Sequence, residues 1–394
     1  MPYTVELKPG EGKRILSGHP WVFANEVKSV KAVPGTPASN GDLADVYTSG
    51  GRFIGRGYIN HLSKILVRIF IRDPETYPDA AFWRERIAAA HEFRQRIGVT
   101  GSCREVFAES DDLPGIVADR YGDLLSVQLL TLGAELHREE IFDALEAVFS
   151  PRGIYERSDA EVRKKEGLEL RTGPVRGIFD PRTVIEENGL KLIADLENGQ
   201  KTGYFLDQRE NRLAVRRYSS GDVLDCFCNA GGFSMNAAAA GARSVTAADI
   251  SERALGDVAE AAKLNGFSDI IKPVCCDVFD LLRLCRSQGR QFDTVILDPP
   301  AFAKSASETA SALKGYLDIN TLGMKLVRNG GFLVSSSCTR FVTGEMYLNM
   351  LKKAAAASGR RARIVEIRTQ SPDHPADLWS EDSSYLKFYV LNII

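Results

Sequence analysis

The chain has 394 residues, of which 44% are hydrophobic and 26% charged, with a formal net charge of −2. That length calls for two or three domains rather than one core, and the composition is that of a soluble globular protein. No apolar run approaches the roughly 18 residues that span a bilayer, and the near-neutral charge excludes a protein coated in positive charge, so a nucleic-acid partner would need local basic patches.

Residues 1 to about 72 read as a small β domain. Short alternating runs (TVELK, LADVYT, RFIGRGYI, ILVRIFI) are separated by Gly, Pro and Asn turns, and Gly50, Gly51, Gly55 and Gly57 suit the tight corners of a small barrel. MPYTVELKPGEGKR lacks the apolar core of a signal peptide, so the cytoplasm is the expected location. DPETYPD at 73–79 reads as a linker. FWRERIAAAHEFRQRI is helical with a basic outer face, and 105–131 reads as strands with a turn. A helix follows at about 135–149, then a strand near GIYERSD. At 184–196, Asn188-Gly189 is a favoured hairpin turn between two strands. KTGYFLDQRENR, from Lys201, reads as a helix. After Gly221 strands recur at DVLDCF, SVTAAD, IKPVCCD, DTVILD, GFLVSSS, ARIVEI and LKFYVLNI, with helical patterns between most of them. That rhythm predicts a parallel sheet covered by helices on both faces, with ligands at the carboxyl ends of its strands near the switch point.

The seven cysteines are odd in number and irregularly spaced, without a C-x-x-C pair, which argues against a disulfide framework. With five scattered histidines they also argue against zinc, and no metal is expected. Basic clusters that could meet a nucleic acid are Lys13/Arg14, Arg52/Arg56, Arg84/Arg86, Arg163/Lys164/Lys165 and Arg360/Arg361/Arg363; any one of them alone reads more simply as a solvated face.

The chemistry gathers at strand ends. Asp225 closes the first strand of the regular region, and Asn229-Ala-Gly231-Gly232 follows, a turn that lets backbone approach a ligand and offers free N–H groups at the next helix. It is not G-x-G-x-x-G, which counts against a nicotinamide dehydrogenase. Asp249 ends the second strand, where an acid can accept from both ribose hydroxyls of a nucleoside; a helix cap is the alternative role. Asp277 ends the third strand and is equally suited to meet an adenine amino group or to cap a helix. Asp298-Pro299-Pro300 ends the fourth, and the two prolines fix Asp298 rigidly toward a cleft, where Phe302 could stack on a base. Cys338 ends the fifth, among serines. C5 of cytosine is a poor nucleophile until a thiolate adds to C6, so a cysteine beside a base-holding acid points to C5 methylation. Cys228 is the rival nucleophile, but it lies in the glycine turn, where packing is the simpler role.

These residues, together with HPWVF at 19–23, ESDDLPGIVADRYGD at 109–123, GIYERSDAEVRKKEGL at 153–168 and ENGLKLIADLENGQKTGYFLDQRENR at 187–212, resemble the bacterial ribosomal RNA large-subunit methyltransferase I family. The resemblance covers nearly the whole chain. It implies a β-barrel-like PUA domain for RNA binding at 1–73, a central α+β domain at 74–182, and at 183–394 a β-hairpin leading into a class I, Rossmann-like α/β methyltransferase domain with a seven-stranded sheet. It implies S-adenosylmethionine around Asp225, Asn229, Gly231, Asp249, Asp277 and Asp298, flanked by Tyr204, Phe205, Asp207, Gln208 and Arg209. It makes Cys338 the nucleophile, with Asp298 near N3 of a cytosine in 23S rRNA or a large-subunit assembly particle; Pro299, Pro300, Phe302 and Lys304 would meet the substrate. The chain departs from the family in having Ala301 where a lysine is common, and it lacks the second cysteine that other RNA cytosine-C5 enzymes carry after the prolines. A methyltransferase acting on an exocyclic amine and a non-catalytic RNA-binding assembly factor are the competing readings. No exposed apolar stripe demands a homodimer, which stays open, and no membrane partner is expected.

Overall fold

The computed structural model describes residues 2–380 and 383–394. The chain forms two compact units, one from Met1–Arg182, Asp195–Gly203 and Pro372–Ser383, the other from Thr183–Ala194, Tyr204–Ser371 and Ser384–Ile394. Among the described residues no helix is long and apolar enough to cross a membrane.

The first unit contains two sheets. One has six strands in the spatial order Trp21–Phe23, Ile65–Ile71, Phe53–Ile59, Leu43–Tyr47, Tyr3–Leu7, Val27–Ala32. The three-residue 3₁₀ turn Ala24–Glu26 joins its two edge strands, so the edges must curl together, as expected for a small barrel. Gly57 is required by close approach: a Cβ there would lie 2.0 Å from the Arg68 carbonyl oxygen of the neighbouring strand. The other sheet runs Arg171–Arg176, Gly153–Ser158, Leu124–Leu129, Ile116–Tyr121, Cys103–Phe107. Helix Ala80–Arg96 is capped by Asp79, whose side chain accepts from the Phe82 N–H. Its Phe82, Trp83 and Ile87 share one apolar core with Tyr58 and Phe70 of the barrel and with Phe142 of helix Arg138–Phe149.

Single members of the expected basic patches are interior, while neighbours such as Arg52, Lys164 and Lys165 stay exposed. Arg94 lies not on an outer face but fully buried, donating to Asp111 at 2.6 Å and to the carbonyls of Arg104 and Asp373. Arg163 donates to Glu135 and to the Glu169 carbonyl, and Arg56 is buried against Asp45 and over the Tyr77 ring. A guanidinium has five donors, so it is the cation that an interior can satisfy with carbonyls and carboxylates together. Runs of basic letters do not reveal this partnering.

The second unit opens on the hairpin Arg182–Glu187 and Leu190–Asp195. Its turn residues Asn188 and Gly189 both have positive φ (55° and 75°), as a type I′ turn requires. Residues 201–205 are turns rather than helix, with Gly203 at φ 139°; helical structure begins at Leu206–Gln208 and continues as helix Arg209–Val215. The main sheet has seven strands in the order Ile271–Cys275, Ser244–Asp249, Asp222–Cys226, Phe292–Leu297, Val327–Ser337, Lys387–Ile393, Ala362–Arg368. The first five in sequence are mutually parallel, as expected. The last in sequence is a correction: it runs antiparallel to both its neighbours, inserted between Val327–Ser337 and Ala362–Arg368. The order reverses around Asp222–Cys226, where Ser244–Asp249 lies on one side and Phe292–Leu297 on the other. Central strands are buried on both faces, with helices Thr309–Leu326 and Gly344–Ser358 together covering one of them, so they read as continuous apolar runs.

Arg212 ties the hairpin to this sheet. Its guanidinium meets Glu187 through two bonds of 2.6 and 2.5 Å, both side chains buried, and lies 4.6 Å from the Tyr204 ring centroid. Burial pulls the Arg212 guanidinium down, and the Glu187 carboxylate more than offsets this, raising it above its ordinary range. Arg212→Met should therefore leave a buried carboxylate unpaired and lower stability by about 3–5 kcal/mol, while Arg212→Met with Glu187→Leu should recover most of the loss. Urea unfolding of the three proteins checks this: a double variant as unstable as the single one would contradict it.

Candidate active site

Asp225 is fully buried at the end of its strand. Its Oδ2 accepts from Ser234 Oγ at 2.6 Å, and its Oδ1 has no hydrogen-bond partner among the described residues. Burial pushes the carboxyl up to about 7; the Ser234 bond pulls it down, and the charges of Asp298 and Asp249 add to the rise. Beyond it, Phe227 and Asn229 adopt positive φ (62° and 47°). Gly231, at φ 77°, caps helix Gly232–Ala239, and a Cβ on it would stand 2.9 Å from Val258. At Gly232 a Cβ would meet the Tyr204 hydroxyl at 2.3 Å and Arg212 Cδ at 2.5 Å, so the second glycine is a packing requirement.

Asp249 is not the cap of the following helix. Ser251 takes that role, accepting from Ala254 N–H, while Asp249 accepts from the N–H groups of Asn229 and Ser251, both at 2.9 Å. It thereby fixes the glycine turn to its neighbouring strand. Asp277 does cap its helix: one oxygen accepts from Phe279 and Asp280 N–H, and the residue is exposed.

Asp298 stands one residue past Leu297, which is in register with Ser335. Its Oδ1 accepts from Gln208 Nε2 at 2.9 Å and from Ser336 Oγ. Gln208 is itself held by Asn211, which donates to its Oε1 at 2.6 Å. The serines before Cys338 divide by strand alternation. Ser335 and Ser337 bond to side chains of helix Thr309–Leu326, at Asn320 and at Tyr316, whereas Ser336 turns to Gln208 and Asp298. Thr339 Oγ1 donates to the Ala303 carbonyl, tying the loop after Cys338 to the loop after Pro300. Cys338 is half-buried; Cys226, Cys228 and Cys285 are buried, and burial pushes their thiols up.

The remaining sequence-derived residues divide into packed and open. Tyr204, Asp207 and Arg209 are buried; Asp207 accepts from Tyr385 Oη at 2.7 Å and Arg209 donates to Ser371 Oγ. Phe205 is half-buried. The Phe302 ring is 4.6 Å from that of Tyr316 and 6.1 Å from that of Phe279, so one side of it belongs to an aromatic cluster. Pro299 is buried, while Pro300 and Lys304 are exposed. Sequence reading missed Ser234, although it sits in the first turn after the glycines, and Lys387, the one cation in the final strand.

Residues 175–377 match the model of an S-adenosylmethionine-dependent methyltransferase family and residues 5–72 that of a PUA-like domain. The chain is 41% identical over 99% of both chains to the ribosomal RNA large subunit methyltransferase I of Aeromonas salmonicida (strain A449), and 38% identical over the full length of both to that of Escherichia coli O9:H4 (strain HS). This chain belongs to the ribosomal RNA large subunit methyltransferase I family. Among solved structures, a protein from Streptococcus mutans described as a SAM-dependent methyltransferase superposes with a TM-score of 0.82, and a methyltransferase-type structure in complex with SAH with 0.84; each is 20% identical over 99% of both chains, which speaks to the fold.

The cofactor of this methyltransferase is S-adenosylmethionine. The strand ends suit such a group: the buried Asp225 carboxyl, raised further by the charges of Asp298 and Asp249 and with one oxygen unpartnered among the described residues, favours a ligand bearing a sulfonium and an ammonium. The raised Asp225 carboxyl has a consequence for stability. Its contribution is full below about pH 4, the ordinary carboxylate range, and is lost as pH rises to about 7. Without cofactor, Asp225→Asn should therefore gain melting temperature relative to the parent between pH 4 and 7 and hold that gain above. A difference independent of pH would contradict the assignment.

Proposed function

We propose that this chain methylates C5 of a cytosine in 23S rRNA through a covalent bond between Cys338 and C6. The observation that carries the reading is the placement of Cys338, half-buried just past the end of its strand, next to the adjacent parallel strand after which Asp298 stands; the rival Cys228 is buried with its thiol pushed well up. In this reading Asp225, Asn229, Gly231 and Asp249 surround the cofactor, with Asp277 toward the adenine. Tyr204, Phe205, Asp207, Gln208 and Arg209 form and brace the wall beside it. S-adenosylmethionine, when bound, supplies a methyl group on a sulfonium.

The chain's own residues do the rest. Asp298, steadied by Gln208 and Ser336, lies against the N3 edge of the base and accepts from its N4 amino group. Pro299 and Pro300 hold its backbone, Phe302 offers an aromatic face and Lys304 a charge to the RNA strand. The Cys338 thiolate adds to C6, which delivers an electron pair to C5 and makes it nucleophilic. After methylation a base takes the C5 proton, and the C6–S bond breaks to return the thiolate. The target cytosine has to be unstacked to enter, at a cost of roughly a few kcal/mol.

The same proposal divides the chain into a PUA domain at 1–73 and a central domain at 74–182 that grip RNA in the cytoplasm, and a catalytic domain at 183–394. Grip through phosphates weakens with salt. Cys338→Ala should lose at least about 10³-fold in turnover on 23S rRNA or large-subunit particles while binding the cofactor nearly as well, checked by methyl incorporation and by calorimetry. Full turnover by that variant would sink the proposal and favour an amine acceptor.

A further inference from the structure

Resting on the reading of Cys338 as the nucleophile, we propose that Lys387 is its positioning residue: the ammonium is fixed beside the sulfur and holds it as the attacking thiolate. Lys387 begins the final strand and is paired in register with Ser337, the residue before Cys338. Its Nζ donates to the carbonyl of Thr339, the residue after Cys338, and to that of Tyr385 at 2.8 Å. The head group therefore bridges the cysteine loop and the chain entering the final strand. An ammonium has three donors, and these two carbonyls use two of them.

The strand around it is apolar, with Leu386, Phe388, Tyr389 and Val390 buried. A lysine there is costly unless something offsets the loss of water. Burial pulls Lys387 down to about 8, and the charge of Cys338 acts against that fall. The attraction is mutual, so whatever the thiolate contributes to the ammonium the ammonium returns to the thiolate.

Neither the phenol nor the acid beside the pair supplies that charge, and the nearby cation Arg340 is exposed, where water screens it. Tyr316, on helix Thr309–Leu326, is pushed up to about 12, first by burial and further by Cys338 and Asp298, so it stays neutral across the working range. Asp298 is an acid and would oppose a second negative charge nearby. Tyr385 donates to Asp207, and the guanidinium of Arg340, two residues beyond Cys338, lies over the Phe341 ring at 4.9 Å. In this arrangement Lys387 balances a thiolate that Asp298 alone would disfavour.

The test is the pH dependence of Cys338 alkylation by iodoacetamide, read at its own peptide by mass spectrometry. The proteins are the parent, Lys387→Met, Lys387→Gln and Lys387→Arg. In the Met and Gln variants the midpoint should rise by about one pH unit, about tenfold less thiolate at neutral pH. The Arg variant should stay within a few tenths of the parent, and the exposed Cys275 should not move in any of them. On rRNA, kcat at pH 7 should fall about tenfold for Met and Gln with KM little changed. Gln can still donate to the Thr339 carbonyl, so it separates loss of charge from loss of the bridge. A Cys338 midpoint unchanged in both neutral variants, with cofactor binding intact, would overturn the inference. Because alkylation needs no turnover, that result is independent of whether Cys338→Ala abolishes methylation.

Discussion

Mutual repulsion among carboxylates at neighbouring strand ends is the constraint around which the catalytic unit is arranged. Asp225, Asp249 and Asp298 close three adjacent parallel strands, and parallel strands bring their carboxyl ends to the same edge of the sheet. Such a group of acids is tolerable only if each is held separately, and here each is. Ser234 holds Asp225, the N–H groups of Asn229 and Ser251 hold Asp249, and Gln208 with Ser336 holds Asp298. What these bonds leave uncompensated is negative potential, which in the proposed site a cationic cofactor would offset.

The elements outside the sheet serve this edge. Tyr204 and Arg212, the latter held by Glu187 of the hairpin, stand against Gly232, so the glycine turn is packed from the outside as well as bonded from within. Gln208 reaches Asp298 because helical structure starts at Leu206, and Asn211 one turn on fixes its amide. The antiparallel final strand matters for the same reason: inserted beside the strand that ends in Cys338, it brings Lys387 alongside Ser337, where a parallel strand would have placed its opposite end. A sheet edge that gathers acids on one side thus receives a cation on the other.

Much of this was legible in the letters. The alternation after Gly221 gives the strands nearly residue for residue, because buried parallel strands are short apolar runs with acids at their ends. Asn188-Gly189 announces its hairpin because both residues tolerate positive φ. What the letters hide is partnership. Arg94 and Arg163 look like surface charge and are interior, since their carboxylate partners Asp111 and Glu135 lie 17 and 28 residues away. KTGYF has helical neighbours, yet Gly203 bends the chain out of a helix. The direction of the last strand depends on which gap in the sheet is left for it, which local sequence does not encode. Asp249 and Asp277 carry the same signature, an acid before a helix, and only the structure separates the cap at Asp277 from the turn-fixing role of Asp249.

The most direct measurement is the identity of the methylated nucleoside. The protein is incubated with labelled S-adenosylmethionine and either 23S rRNA or large-subunit particles, and the RNA is digested to nucleosides. Attack by Cys338 on C6 predicts label in 5-methylcytidine on one of these substrates. Label in any other nucleoside would contradict it, leaving Cys338 a structural residue and Asp298 a partner for an amine.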